Sequence, residues 1–300
     1  MTRSHSPLVL IGYGDIARRL AERLPDREIV AVARRRPAPP PGHQGKWHGH
    51  PIDLDDGTPI PEEAVPAGSI WIYLAPPPRH GTVDPRVSHW LEGAMHAPAA
   101  AIYIGTTGVY GDHQGGWVDE TTPPTPQHDR GRRRLDAERQ FTDWCGQRGI
   151  PLTCLRVTGI YACDRLPVER IRAGAPVPRG DQAPWSNRVH ADDLADILAR
   201  LVERIDIGAP VTGSFNVSDN HPAPISEAYR QTAEHFRLPP PPQVDLDEVL
   251  AQASPMAREF LGESRRIDAS AIQRALDWQP RYPDIAATLA ACDKENGRSV

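Results

Sequence analysis

The first half of the chain alternates between short, uniformly apolar runs and stretches with helical spacing. Runs such as PLVLIG are typical of strands buried on both faces of a sheet, whereas apolar residues at every third or fourth position indicate helices. The resulting order, β-α-β-β-α-β-α-β, predicts a doubly wound parallel sheet of the α/β class. The predicted strands lie at 7–12, 28–33, within 49–56, at 69–75, 99–105 and 151–157, and the predicted helices at 15–24, 83–95 and about 130–148.

The regular alternation loosens after residue 160. Helical patterns recur near 165–173, 191–204, 225–237, 245–253 and 284–292, and one more strand pattern lies at 214–218. We expect the chain to leave the sheet twice and to form a small C-terminal α+β substrate domain. The predicted sheet domain spans 1–162 with 188–220 returning to it, the small domain spans 163–187 and 221–292, and residues 293–300 form a tail.

The first strand-to-helix turn, IGYGDIARRL, carries the spacing of a dinucleotide-binding turn. Gly12, Gly14 and Ala17 match G-x-G-x-x-[G/A], in which the glycines allow a tight turn and a close approach to a pyrophosphate, and the small third residue lets helix and strand pack. The alternative is an ordinary glycine turn. Because a strand, a helix and a second strand surround the motif, we predict a Rossmann cofactor site that also includes Tyr13, Asp15 and Ile16.

The end of the second predicted strand bears on the choice of cofactor. NAD-binding proteins usually place an acidic residue about 20 positions after the first glycine, where it holds the ribose 2′-hydroxyl. This chain has Arg34, Arg35 and Arg36 there. Guanidinium groups pair with a 2′-phosphate, so NADP is the predicted cofactor, with NAD as the other possibility. A general abundance of arginine is the competing explanation, since the chain has 32 arginines and two lysines.

Composition and charge narrow the class of protein. A hydrophobic content of 39% and a charged content of 24% are typical of a globular protein. The net charge of −5 does not indicate the basic surface that nucleic-acid binding requires. No run of about 18 apolar residues predicts a membrane span, and the start of the chain lacks a signal-peptide layout. We therefore expect a cytoplasmic protein with a small-molecule substrate.

Cysteine and histidine give no metal-binding pattern. The four cysteines lack C-x-x-C or zinc spacing, so we expect them to be reduced and mostly buried. Three histidines in HQGKWHGH, residues 43–50, have no helical pairing. No metal is predicted.

The ordered motifs resemble the extended short-chain dehydrogenase/reductase superfamily, and in particular its atypical branch of NAD-dependent epimerase/dehydratase-like proteins (the YeeZ-like group). The resemblance covers nearly the whole chain. It is carried by IGYGDIA, PIDLDD, IWIYLAPPP, IYIGTTGVYGD, LRVTGIYACDR, NRVHADDLADIL, FNVSDNHPAP and RRIDASAIQRALDWQPRYP.

This resemblance implies further site residues. Asp53 and Leu54 are expected near the adenine, and Ala75 and Pro76 beside the ribose on the nicotinamide side. Thr106 stands where the family keeps a serine or threonine that bonds a substrate oxygen, at the carboxyl end of a strand, where such sheets bind ligands. A turn threonine that bonds only local backbone is the alternative.

The stretch RGRRRLDAE departs from the family pattern. Catalytic members have Y-x-x-x-K followed by L-x-x-E at this place, and alignment on Leu135 and Glu138 puts Arg130 at the tyrosine position and Arg134 at the lysine position. Arginine keeps its proton, so Arg130 cannot act as the acid or base, although Arg134 could hold ribose hydroxyls. Neither Lys46 nor Lys294 can fill the position. A solvated basic helix start is the simpler interpretation, but positive charge there opposes the helix dipole, which favours an anion-binding role.

Three other side chains are candidates for the missing proton donor. Tyr110, Tyr161 and His190 belong to conspicuous motifs, with Asp112 and Glu120 behind them. In the family the two tyrosines are normally structural or shape the cleft, and a lone histidine is more often structural than catalytic.

The leading prediction is an NAD(P)-binding oxidoreductase or epimerase/dehydratase acting on a small polar substrate, with nucleotide sugars as one option. The second prediction is a non-catalytic NADP-binding protein that reports cofactor state to a partner. A structural domain that has lost the cofactor is disfavoured by the intact glycine turn. A homodimer through the helices at 83–95 and 130–148 is expected from the resemblance.

Overall fold

A seven-stranded parallel sheet forms the centre of the computed structural model, which describes residues 5–295 and side chains up to residue 292. Its strand order is β12-β7-β5-β4-β1-β2-β3, and every neighbouring pair is parallel. Its strands are β1 Leu8–Ile11, β2 Ile29–Ala33, β3 Trp47–Pro51, β4 Ile70–Tyr73, β5 Ala100–Thr106, β7 Leu152–Val157 and β12 Gly213–Val217. The predicted α/β class and doubly wound parallel sheet are confirmed.

Helices cover both faces of the sheet. They are α1 Asp15–Arg23, α2 Pro85–Gly93, α3 Asp129–Arg148, α4 Val168–Arg172, α5 Ala191–Asp206, α6 Ile225–His235, α7 Leu246–Gln252, α8 Pro255–Leu261, α9 Ser270–Leu276 and α10 Ile285–Glu295. Short 3₁₀ turns occupy Glu62–Ala64, Thr107–Tyr110 and Cys163–Arg165. The helices α8 and α9 were absent from the sequence prediction.

The core has one apolar layer on each side of the sheet. Leu8 and Leu10 of β1 join α1, α5 and α9 in the layer on one face, whereas Val9 and Ile11 join α2 and α3 on the other. This division follows from the alternation of side chains along a strand, and it explains why β1 and β2 have no polar positions.

Short strand pairs organise the C-terminal half of the chain, and the pair of Trp117–Val118 with Arg266–Ile267 joins it to the sheet domain. The remaining strands are β6 Trp117–Val118, β8 Gly159–Tyr161, β9 Val177–Pro178, β10 Trp185–Ser186, β11 Arg188–His190, β13 Ala223–Pro224, β14 Gln243–Val244 and β15 Arg266–Ile267. They pair as β8 with β11, β9 with β14, β10 with β13 and β6 with β15. Residues 269–278 pack into the core beside α5, so part of the predicted small domain lies under the sheet. The two-domain division remains a prediction, and residues 296–300 of the predicted tail lie outside the described residues.

The cysteine prediction was wrong for two of the four residues. Cys163 and Cys292 form a disulfide across 129 positions of sequence, whereas Cys145 and Cys154 are free and buried, as expected. Residues so far apart give no spacing signal, because only the packing of α10 brings them together. In residues 5–295, no group of three or more histidine, cysteine, aspartate or glutamate side chains is arranged to hold a metal ion. No helix in that range has both the length and the apolar character to cross a membrane.

Candidate functional site

A cleft of about 460 Å³ opens at the carboxyl ends of the central strands. Its floor is the turn after β1 and the ends of β5 and β7, and its walls are the start of α3 and the helix α8. Parallel sheets bind their ligands at this edge, at the point where the strand order reverses. In this sheet that point lies between β1 and β4.

The glycine turn has the shape that a dinucleotide phosphate requires. Gly12 has φ +94°, and a Cβ on it would lie 2.5 Å from the backbone nitrogen of Ala75. Gly14 precedes α1 and lines the cleft, and nothing of the described protein lies within 4 Å of where its Cβ would be. The first glycine is therefore needed for close packing, while the second leaves room for a ligand at the helix N-terminus. Both features fit a bound dinucleotide.

An acidic side chain stands at the first position of α1. Asp15 accepts hydrogen bonds from Arg19 at 3.0 Å, from Arg18 at 3.0 Å and from Arg165 at 2.6 Å. Although burial opposes it, these hydrogen bonds and the charge of Arg165 lower the pKa of Asp15. The carboxylate therefore stays ionised beside the expected pyrophosphate position, and arginines surround it. Ile16 also lines the cleft, and Tyr13 packs edge-on against Trp47.

The three arginines after β2 are exposed. In the described part of the chain, the guanidinium groups of Arg34, Arg35 and Arg36 donate no hydrogen bond, so all three are available to a ligand. Arg34 lies near enough to Asp55 for its charge to help lower the pKa of that carboxyl group, after the larger effect of Arg86.

The predicted adenine and ribose residues lie on the loops beside these arginines. Asp53 accepts a hydrogen bond from the amide of Asp55, and Leu54 packs against the core. Ala75 follows β4 and is buried, and the carbonyl of Pro76 accepts a hydrogen bond from Arg86 at 2.6 Å. These contacts order the two loops; their contact with a cofactor remains a prediction.

Arg134 reaches the ends of two strands from the first turns of α3. Its Nη1 donates to the carbonyl of Ile104 at 3.2 Å and to that of Ala75 at 3.5 Å, and it lines the cleft. Gly131 lets α3 approach so closely, because a Cβ there would lie 2.8 Å from the carbonyl oxygen of Gly108 and 2.8 Å from Cβ of Pro126. Arg134, which the sequence alignment predicts at the lysine position of the family, is thus a fixed cation in the cleft.

Arg130 also lines the cleft, but its side chain is not held by the rest of the described protein. In the described residues its guanidinium forms no hydrogen bond or ion pair. Arg130 is exposed by its surface area, yet the protein around its guanidinium desolvates it enough to lower its pKa. The charge of Arg134 lowers that pKa further, while Glu259 on α8 raises it. Arginine remains charged through such shifts, so Arg130, predicted to stand at the tyrosine position of the family, is a positive charge without an ion-pair partner among the described residues.

Thr106 has the turn role considered for it, and its substrate-binding role remains a prediction. Its Oγ1 accepts a hydrogen bond from the amide of Gly108 at 3.2 Å and so caps the 3₁₀ turn Thr107–Tyr110. The residue also lines the cleft, and a hydroxyl that accepts one hydrogen bond can still donate its own proton.

The three candidate proton donors lie outside the residues that line the cleft. Tyr110 is fully buried, donates to Asn216 at 2.8 Å and accepts from Arg156 at 2.8 Å, and burial raises its pKa. Tyr161 donates to the carbonyl of Asp284 at 3.2 Å. These contacts occupy both hydroxyls in the interior, which argues against proton exchange with a substrate.

His190 is likewise part of the interior. Its Nδ1 accepts a hydrogen bond from the amide of Asp192 at 3.2 Å, and its ring stacks on Tyr282 with centroids 3.8 Å apart. Burial lowers the pKa of His190 to about 4. Behind these candidates, Asp112 accepts from the amide of Ser264 and Glu120 from that of Asn216, both at 2.8 Å.

Several lining residues were not found from the sequence. The helix α8 and the segment after it contribute Met256, Glu259, Phe260, Glu263 and Arg265, and two more lining residues are His128 and Arg165. A sequence signal for α8 was present. Ser254 caps the helix by accepting a hydrogen bond from the amide of Ala257, and Pro255 occupies the first turn. The partners of Arg165 and His128 are non-local, and no spacing in the sequence indicates them.

His128 lies at the entrance to α3, next to a buried ion pair. Its Nε2 is 3.7 Å from Oε1 of Glu263, whose Oε2 accepts a hydrogen bond from Arg265 at 2.6 Å. The Glu263 side chain is 8% exposed, so it can orient the imidazole from the protein side. In the described part of the chain, Nδ1 of His128 forms no hydrogen bond.

Comparisons with known proteins agree with this geometry. Residues 87–218 match the model of the NAD dependent epimerase/dehydratase family. A functionally unknown conserved protein from Silicibacter pomeroyi is 30% identical, with a TM-score of 0.75 and coverage of 97% of this chain and 99% of that one. No curated protein matches the sequence.

Two more distant structures share the fold. UDP-glucuronic acid 4-epimerase from Bacillus cereus, in complex with NAD, is 17% identical with a TM-score of 0.73, covering 98% of this chain and 100% of that one. MoeE5, in complex with UDP-glucose and NAD, is 19% identical with a TM-score of 0.71, covering 97% of this chain and 99% of that one.

Proposed function

The chain belongs to the NAD-dependent epimerase/dehydratase family, and on that premise we propose that it binds NADP and carries out oxidoreductase- or epimerase-like chemistry on a small polar, anionic substrate. The observation that carries the proposal is the unpaired Arg130, which shares a cleft with an intact glycine turn. Nucleotide sugars are the proposed substrate class. Of the two distant structures with this fold, MoeE5 is a complex with UDP-glucose, and the other protein is a UDP-glucuronic acid 4-epimerase.

The proposed cofactor-binding site extends from the open glycine turn to the arginines after β2. The pyrophosphate would lie at Gly14, where the α1 N-terminus offers free amides, and Arg34 and Arg35 would bind the 2′-phosphate. Arg134, held by two strand-end carbonyls, would place its remaining donors toward the ribose on the nicotinamide side. The nicotinamide, when bound, supplies hydride transfer.

The substrate end differs from the family pattern in its proton chemistry. The described lining contains neither tyrosine nor lysine. Arg130 would hold a phosphate or carboxylate of the substrate, and Thr106 would donate to the oxygen at the reacting carbon. His128 is a lining side chain that can both accept and donate a proton, and we assign proton exchange to it in place of the missing tyrosine.

A second candidate function is a non-catalytic NADP-binding regulator. The observation in its favour is that Tyr110, Tyr161 and His190 are all buried away from the cleft. Single-turnover measurements of hydride transfer between bound NADP and UDP-sugars separate the two functions. A protein that binds both ligands and shows no transfer is the regulator.

Calorimetric titration with NADP⁺ and NAD⁺ tests the cofactor assignment. Loss of a charge-assisted phosphate contact changes affinity by roughly ten- to hundredfold, so NADP⁺ should bind tighter by that factor. The R34Q/R35Q variant should lose the preference and keep NAD⁺ binding. Equal affinities or tighter NAD⁺ in the wild type would contradict the NADP assignment, and binding of neither would contradict the function.

A homodimer remains a proposal as well. The helices α2 and α3 lie together on one face of the sheet, where they could pack against a second copy. Sedimentation velocity over a range of concentrations decides this, and a concentration-independent monomer would contradict it.

A further inference from the structure

We propose that Arg165 is a pyrophosphate-binding residue of the cofactor site and that the Cys163–Cys292 disulfide positions it. The proposal rests on cofactor binding as described under the proposed function. Arg165 comes from the 3₁₀ turn Cys163–Arg165, beyond β8 and outside the glycine turn. It nevertheless lines the same cleft as Gly12 and Gly14, and its Nη2 lies 2.6 Å from Oδ2 of Asp15.

The charge of Asp15 creates the need for such a residue. A carboxylate at the first position of α1 would repel a pyrophosphate that binds at the same helix end. Surrounding hydrogen bonds keep Asp15 ionised. A cation that contacts both the carboxylate and the phosphate would remove this conflict.

Among the three arginines on Asp15, Arg165 is the one free to turn toward a ligand. Arg18 also pairs with Glu22, and Arg19 donates to Asp192 at 2.9 Å, so each is held by a second carboxylate. In residues 5–295 the guanidinium of Arg165 has Asp15 as its one carboxylate partner, and its side chain is 34% exposed. A small rotation would let it bind phosphate oxygens while it still neutralises Asp15.

The disulfide holds the turn that carries Arg165. None of the residues Cys163–Arg165 is buried, and the turn closes through one backbone hydrogen bond, from Arg165 to the carbonyl of Ala162 at 2.9 Å. Cys163 is bonded to Cys292 of α10, a helix whose Thr288 and Leu289 are buried. The crosslink therefore fixes an otherwise exposed turn to a packed helix, and Cys163 and Cys292 act as positioning residues.

This arrangement couples cofactor affinity to redox state. A dithiol that reduces the crosslink gives two electrons and two protons to the S–S bond; Cys163 and Cys292 become thiols and the dithiol becomes a disulfide. The turn is then released from α10, and Arg165 spends less time at the glycine turn.

Calorimetry with whole and partial cofactors tests the role of Arg165. The R165Q variant should weaken NADP⁺ and NAD⁺ binding roughly tenfold or more, because a charge-assisted contact is lost. Adenosine 2′-monophosphate and adenosine, which lack the pyrophosphate, should bind within about twofold of wild type by the same reasoning. R172Q is the matched control, because Arg172 lies in the neighbouring α4, pairs with Glu169 and is not part of the cleft.

Redox titration tests the role of the disulfide. Dithiothreitol should weaken dinucleotide binding by wild type several-fold, and a C163S/C292S variant should show the weaker binding with and without the reductant. Thermal unfolding of each variant checks that it is folded, and R165Q provides the test if the double variant is not.

The outcomes separate this inference from the proposed function. Wild type that binds neither dinucleotide overturns both. Dinucleotide binding that R165Q leaves unchanged, or an equal loss of the fragments and the dinucleotides, overturns the assignment of Arg165 alone. Binding that is unaffected by dithiothreitol, with the thiols verified as reduced, overturns the positioning role of the disulfide.

Discussion

Two helices, α1 and α3, begin at the cleft, and their first turns carry opposite arrangements of charge. At the start of α1 a carboxylate, Asp15, is surrounded by three arginines from α1 and the 163–165 turn. At the start of α3 the reverse holds, since Arg130 and Arg134 face the cleft and no described carboxylate lies within hydrogen-bond distance of their guanidinium groups. The first end is balanced internally, whereas the second has free positive charge for a ligand.

The two helix starts also differ in how closely they follow the family motifs. The glycine turn keeps the close approach of Gly12 to Ala75 and the open space at Gly14. The start of α3 has Gly131 and Glu138, which position the helix, and in the proposed alignment it has arginine where catalytic relatives have tyrosine and lysine. Variants of this helix can test its positioning and its ligand binding separately.

The largest expected effect comes from the ion pair that anchors α3 to the sheet. Arg156 of β7 donates to Glu138 at 2.6 Å, and both residues are 6% exposed. Arg156→Met leaves the Glu138 carboxylate buried and unpaired, which should lower the free energy of unfolding by about 3–5 kcal/mol. Urea denaturation measures it, with Arg139→Met on the exposed side of α3 as control. A loss below about 1 kcal/mol would show that α3 is fixed in some other way.

The next effect concerns the α1 side and depends on pH. His190 caps α5 beside Asp192, which binds Arg19 and Arg23 of α1. Burial lowers the pKa of His190 to about 4, below its unfolded value of about 6.5. The unfolded chain therefore binds more protons between these values, and the free energy of unfolding should fall by roughly 2–3 kcal/mol as pH drops from 6.5 to 4.

Denaturation of matched variants over that pH range isolates this contribution. His190→Gln should remove it, whereas His221→Gln, at an exposed site, should leave the slope as in wild type. An unchanged slope in His190→Gln would mean that His190 does not stay neutral in the folded protein.

The anion assignment of Arg130 should appear in binding rather than in folding. Arg130→Gln should weaken UDP, used as a probe of the nucleotide-sugar class, by about ten- to hundredfold, and it should change NADP⁺ binding by less than about twofold. Calorimetry with Arg139→Gln as the control on the same helix gives the comparison. If UDP binds Arg130→Gln as it binds wild type, the unpaired guanidinium is not an anion site.

The smallest effect separates two glycines of α3. Gly131→Ala would put a methyl group 2.8 Å from the Gly108 carbonyl oxygen and should cost about 1–3 kcal/mol. Gly146→Ala in the same helix meets nothing within 4 Å and should stabilise the protein by about 0.5–1 kcal/mol. Urea denaturation of both variants checks this, and equal effects would show that α3 does not need the close approach.

The sequence predicted the elements that depend on local pattern. All seven strands of the central sheet were predicted, since buried parallel strands are continuous apolar runs. The bounds of β3 were displaced, because this edge strand, Trp47–Pro51, is polar and half-buried. The seven-residue α8 was missed, although its Ser254–Pro255 start is a recognised signal, because the helix is too short to show a period.

The candidate site was predictable only where a motif defines it. The glycine turn, Thr106, Arg130 and Arg134 were all placed in the cleft. Contacts between distant segments could not be predicted, including Arg165 on Asp15, Glu263 beside His128 and the disulfide. The candidates Tyr110, Tyr161 and His190 were chosen by residue type, and burial, which decides whether such groups can react, follows from tertiary packing.

A crystal structure of the NADP⁺ complex tests the central contrast between the two helix starts most directly. We expect the pyrophosphate at Gly12 and Gly14, the 2′-phosphate on Arg34 and Arg35, and Arg130 free of cofactor phosphates and open to a second anion. A cofactor phosphate on Arg130, or a dinucleotide seated away from the glycine turn, would contradict it.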